Sequence, residues 1–156
     1  MAQTMASGTQ AVSDATFVKK AAVSGMYEVQ AAQLAQTKAT SADAKSFASR
    51  MITDHTKAND QLKTIVASKS GLKIPTALDA AHRALMAKLK AASGAAFDKT
   101  YVQQQVDAHQ KAVMLFTAES NNGKDTDLKQ FATQTLPTLQ QHLTMAQNLQ
   151  KGGATP

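Results

Sequence analysis

MITDHTKAND, Met51 to Asp60, carries a histidine where a helix would carry a hydrocarbon. At about 100° per residue, His55 falls in line with Ala48, Met51, Ala58 and Leu62. That spacing belongs to an amphipathic helix and not to a strand, whose sides alternate every second residue. Working outward, the helix starts from a cap at Ser41, after the break ATSAD, and runs from Ala42 to Ser70, where Gly71 ends it. Before it, a second helix runs from the cap Ser13 to Lys38.

The other direction gives the same grammar. GLKIPTALD is a loop with Pro75, followed by a shorter helix from Thr76 to Ala92. SGAAFD breaks the chain, a helix covers Phe97 to Ser120, NNGKDTD turns at Gly123, and a last helix fills Asp125 to Gln150 with Pro137 as a kink. Four long helices joined by two tight turns and one long middle connection predict an all-α antiparallel four-helix bundle, its long crossover carrying the short extra helix. Residues 13–150 form the bundle in this reading, and 1–12 and 151–156 are flexible tails. The composition agrees: aromatic residues make up 4%, and Gly and Pro are few, at 7 and 3.

Several function classes are excluded by what is missing. With 0 cysteines there is no disulfide framework, thiolate metal site or Cys nucleophile. No apolar run reaches the roughly 18 residues of a transmembrane helix, and the opening MAQTMASGTQAVSDA lacks the pattern of a secretory signal, so an exported protein would have lost its signal already. The net charge of +6 is spread along the helices in ones and twos. A nucleic-acid surface needs a dense basic face with stacking or base-reading groups, so nucleic acid is not an expected partner. No Gly-x-Ser-x-Gly turn or phosphate-cradling glycine loop is present.

The stripe test finds similar intrusions on the other long helices. His109 aligns with Val102, Val106, Val113 and Phe116; His142 with Thr135, Leu139, Ala146 and Leu149; Glu28 with Phe17, Ala21, Gly25, Ala32 and Ala35. Each lies near the middle of its helix, so in an antiparallel bundle Glu28, His55, His109 and His142 share a layer. Polar groups in a dry interior are costly unless they satisfy one another or bind something. The plain alternative is a set of hydrogen-bonded core residues. Three imidazoles and a carboxylate suit one transition metal ion, with zinc, copper and iron the leading candidates. Met51, one turn before His55, adds a soft donor for copper(I). His82 sits on a stripe of its own with Leu78, Leu85 and Leu89, but on the crossover helix. Asp54 and Asp107, each beside a histidine in sequence, either pair with Arg50 and Lys111 on the surface or orient an imidazole from a neighbouring helix. Glu119 falls off the His109 face and reads as solvated.

The stretches FVKKAAVSGMYEVQAAQLA, FASRMITDHTKANDQL, GAAFDKTYVQQQVDAHQKAVMLF and LKQFATQTLPTLQQHLTMAQNL resemble a family of bacterial exported proteins designated domain of unknown function 4142, over about Asp14 to Leu149. The positions that family keeps polar are Glu28, His55, His109 and His142 here. The resemblance implies a ferritin-like topology and a periplasmic or otherwise secreted protein, but no established reaction. The Glu-x-x-His pairs of iron-storing ferritins are missing from the second and fourth long helices, so ferroxidase chemistry is not implied. The expectation is a metal-binding protein for buffering or stress protection, with the metal ion as its partner and no transmembrane segment. The alternatives are a redox or hydrolytic enzyme using the same site, and a metal-free interaction module of the cell envelope.

Overall fold

Five helices account for nearly all of residues 13–152, which a computed structural model of the chain describes. They are α1 (Asp14–Lys38), α2 (Ala42–Ala67), α3 (Ala80–Ala91), α4 (Gly94–Asn122) and α5 (Thr126–Gly152). The expected tails at 1–12 and 153–156 lie outside the described residues, while Lys151 and Gly152 complete α5. The short extra helix begins later than expected. Asp79 is its cap, the carboxylate accepting the His82 N–H at 2.9 Å, so Thr76 to Leu78 stay in the loop after Pro75. Helix α2 ends at Ala67, and the chain turns through Gly71 at a φ of 83°, a left-handed conformation that glycine adopts without steric cost. Helix α4 starts at Gly94, three residues before the expected Phe97. Pro137 lies within α5, which continues as one helix on both sides of it.

Packing is pairwise around a square. Helix α1 contacts α2 and α4, α5 contacts α4 and α2, and α3 lies against α1 and α4. The α1–α2 and α4–α5 pairs are antiparallel hairpins, and the link from α2 to α4 is the long crossover. Each hairpin turn is tied by one aspartate from a helix start. Asp98 accepts the N–H groups of Thr40 and Ser41 and the Thr40 hydroxyl, at 2.7 to 2.9 Å. At the opposite end Asp14 accepts the N–H groups of Lys124 and Asp125, at 3.1 and 2.9 Å.

The apolar interior has two parts. One gathers Ala31, Ala35, Phe47, Met51, Leu89, Phe97, Tyr101 and Val106, among others. The other is built on Phe17, Leu62, Phe116, Leu128, Phe131 and Leu139, its three phenylalanine rings 5.0 to 6.3 Å apart. Along α2, α4 and α5 the boundary between the parts falls at His55, His109 and His142 respectively. Burying these side chains drives the helices together, at roughly 1.5–3 kcal/mol for each large apolar group.

Candidate metal centre

The three imidazoles meet at that boundary. Their ring centroids form a near-equilateral triangle with sides of 5.5, 5.2 and 5.2 Å. One ligand-capable nitrogen from each of His55, His109 and His142 lies within 4.8 Å of the others. Two tautomers follow from the partners. His109 Nδ1 is 2.9 Å from the Gln105 carbonyl, which can only accept, so Nδ1 carries the hydrogen and Nε2 offers its lone pair. His142 Nε2 is 2.7 Å from Asp54 Oδ2 and donates to it. That leaves His142 Nδ1 with a lone pair, buried and without a hydrogen-bond partner. His55 Nε2 stands 3.4 Å from His109 Nε2.

That last separation tests whether an ion fits. Two nitrogens each about 2.0–2.1 Å from a metal, at tetrahedral to trigonal angles, lie about 3.3–3.6 Å apart. The His55–His109 pair therefore already has the spacing of two ligands to one ion. The orphaned His142 Nδ1 is the natural third donor. Electrostatics agree, because burial holds all three imidazoles below their ordinary range. For His55 the burial is reinforced by the other two histidines; His109 is brought down to about 4, the Gln105 carbonyl opposing; for His142 the Asp54 carboxylate opposes. Neutral imidazoles are the metal-binding form.

Asp54 is hydrogen-bonded in two directions. Its Oδ2 accepts from Arg50 Nε at 2.8 Å along α2 and from His142 across the bundle. Partial burial pushes its carboxyl up, and these two hydrogen bonds outweigh that and hold it below the usual value. A carboxylate behind a histidine fixes the ring and raises its basicity as a ligand. Asp107 has no such role: it is exposed and accepts from Gln103 Nε2 at 3.2 Å, one turn away on α4. A residue on the outer face of its own helix cannot reach across the interior.

Glu28 lies on the other side of His109. Its Oε1 is 3.9 Å from His109 Nδ1, beyond hydrogen-bond range and facing the nitrogen that donates to Gln105. Both carboxylate oxygens are buried without a partner, as are the Gln105 amide and the Tyr101 hydroxyl. Burial pushes the Glu28 carboxyl up to about 8, which the nearby Gln105 amide only partly offsets. The structure thus groups the three histidines and sets Glu28 behind one of them. His82 is apart, its Nδ1 2.6 Å from Asp79 Oδ1 and its ring 5.3 Å from that of Tyr27.

Glu119 corrects the sequence reading outright. It is completely buried, its carboxylate packed against Gly123 at the foot of α4, where the start of α1 and the α4–α5 turn cover it. The helical wheel placed it off the His109 face correctly, but the wheel of one helix does not register a lid formed by two distant segments.

The family model described as domain of unknown function (DUF4142) matches residues 1–149. The chain belongs to the DUF4142 family. No curated protein matches it. Among solved structures it is similar to CopM in the Cu(I)-bound form, with a TM-score of 0.77 and 18% identity over 92% of this chain and 99% of that one. The Cu(II)-bound form of CopM matches at 0.76 and 17%, over 90% and 97%. A DUF305 fragment from Deinococcus radiodurans matches at 0.75 and 14%, over 88% and 95%. At these identities the likeness is one of fold, the helical bundle described above. No helix among the described residues is long and apolar enough to cross a membrane.

Proposed function

We propose that the chain is an exported bacterial protein that holds one transition metal ion, copper foremost, between His55, His109 and His142, and serves metal buffering or stress protection. The observation that carries this reading is the convergence of three neutral imidazole nitrogens within 4.8 Å, two of them already at ligand-to-ligand spacing. Copper is favoured on two grounds. Divalent copper tops the affinity order of first-row metals for a nitrogen site, and similar folds have been solved as CopM with Cu(II), Cu(I) and silver. Glu28, 3.9 Å from His109 Nδ1, is not a direct ligand in this reading; its buried carboxyl would ionise beside His109 only where an adjacent cation offsets the cost of burial.

Three ligands leave a coordination position open, which is where an enzyme would differ from a buffer. Elemental analysis of protein purified without a metal-affinity tag, followed by calorimetric titration with Cu(II), and with Cu(I) under reductant, tests the proposal. One equivalent bound, and lost in His109→Ala, is expected. Sub-stoichiometric metal together with no thermal shift on adding copper, zinc or iron would sink it. An exchangeable metal-bound water, read by relaxation of solvent protons, would move the reading towards catalysis.

A further inference from the structure

Two of the three imidazoles have a built-in acceptor for the N–H that faces away from the metal position: the Gln105 carbonyl for His109 and the Asp54 carboxylate for His142. His55 has none. Its Nε2 is turned to His109, and no protein group among the described residues bonds its Nδ1. Beside His55, however, is a cavity of about 20 Å³, lined by Ser24, Asn59 and Thr135 together with apolar side chains. These three polar residues come from α1, α2 and α5, all are half-buried, and none makes a side-chain hydrogen bond among the described residues. The lining is mostly apolar, but the space is that of one water, and the two to four partners a water needs would have to come from these three side chains and His55.

The local sequence builds this space. Asn59 is one turn beyond His55 on α2, so the two side chains share a face. Across from it, Gly25 leaves room that no other residue would: an added Cβ would collide with Asn59 Oδ1. Without that glycine the amide could not lie against α1 beside the histidine.

We propose that Ser24, Asn59 and Thr135 hold one ordered water that accepts the Nδ1–H of His55, completing the set of acceptors that orient the three imidazoles, with Asn59 as the positioning residue. This deepens the metal-binding reading, since a ring with its N–H satisfied on the far side presents Nε2 as a ligand in a fixed direction. In metal-free protein His55 Nε2–H can donate to the His109 lone pair, but an ion between the two nitrogens requires the hydrogen on Nδ1. The water is what receives it there.

The test has two arms. A high-resolution crystal structure of the metal-free protein is expected to place a water within hydrogen-bond distance of His55 Nδ1 and the Asn59 amide; an empty cavity overturns the proposal whether or not the protein binds metal. In the second arm, zinc chloride serves as a diamagnetic probe of wild type, Asn59→Leu and Asn59→Ser. Asn59→Leu is expected to weaken zinc binding on the order of 10-fold. Long-range ¹H–¹⁵N correlation is expected to show the His55 ring losing its single tautomer, with those of His109 and His142 unchanged; Asn59→Ser restores most of both. Unchanged zinc affinity and an unchanged His55 tautomer in Asn59→Leu would overturn the proposal. If wild type binds no metal while the water is in place, the metal reading fails and the water site stands.

Discussion

Two glutamates in this bundle are equally hidden, yet their surroundings differ. Glu28 lies in the central layer, within 3.9 Å of an imidazole N–H and beside the Gln105 amide and the Tyr101 hydroxyl. Glu119 lies at one end, where Asp14 and Asp125 crowd it with further negative charge. Both carboxyls are pushed up to about 8, each chiefly by burial; in Glu119 the neighbouring Asp14 and then Asp125 add to it, whereas in Glu28 the Gln105 amide opposes. A buried acid facing groups that can turn towards charge is prepared for a cation nearby. One facing other acids is kept neutral, and the sensible role for it is to close the end of the bundle.

The sharpest way to break this comparison is to remove one of the proposed ligands. His109→Ala is expected to cut copper affinity by more than the roughly 10–100-fold that losing an orienting partner costs, in calorimetric titration, with helix content retained by circular dichroism. Glu119→Gln leaves copper affinity within about two-fold of wild type if the two acids differ as argued. Loss of binding in that variant would mean that the end and the centre are one coupled system.

Next is the response of the metal-free protein to alkali. A carboxyl whose folded pKa is raised contributes stability that is full below its unfolded value near 4.5 and is lost as pH rises through about 8. Glu28→Gln, uncharged at every pH, is therefore expected to melt higher than wild type at pH 8, by a few kcal/mol or on the order of 5–10 °C, with the gain shrinking towards pH 5. Saturating copper should shrink the Glu28→Gln gain and leave a Glu119→Gln gain in place. Equal gains with and without copper would mean that Glu28 does not sense the metal position.

Acid acts through the histidines and in the opposite direction. Their folded pKa values are depressed, so the unfolded chain takes up protons first, and metal-free stability falls as pH drops from about 6.5 towards about 4, the value for His109. Copper should likewise stay bound below the ordinary histidine range, and be released closer to pH 5 than to 6.5 in a spectroscopic titration. Asp54→Asn is the mildest change. It keeps the shape but exchanges a carboxylate for an amide behind His142, and about a 10-fold weaker copper affinity is expected.

Much of this was legible in the sequence, because helical periodicity and capping are local. The caps at Ser13 and Ser41 hold as read, each hydroxyl accepting an N–H three residues on at 3.2 Å. Thr76, just after Pro75, carries the same kind of start signal as Asp79, and it is the Asp79 carboxylate on the His82 N–H that sets the start of α3. The three histidines were recoverable from their stripes, since a mid-helix polar group facing the core has few places to go. Glu28 passed the same test, but which side of His109 it faces depends on rotamers and on the Gln105 carbonyl claiming Nδ1. The pairing of Asp54 with both Arg50 and His142 required knowing that α5 passes α2 at that height. The water cavity depends on Gly25, whose role is invisible until its opposite neighbour is known.

The boundary that the histidines draw through the interior has a mechanical meaning. With the apolar side chains gathered above and below one polar storey, the bundle resembles two short stacks that share the same four columns. Metal-free, either stack can loosen while the other holds, so amide exchange should proceed in two tiers. An ion clasped between α2, α4 and α5 would rivet three of the columns at mid-height, and the two tiers would merge into one.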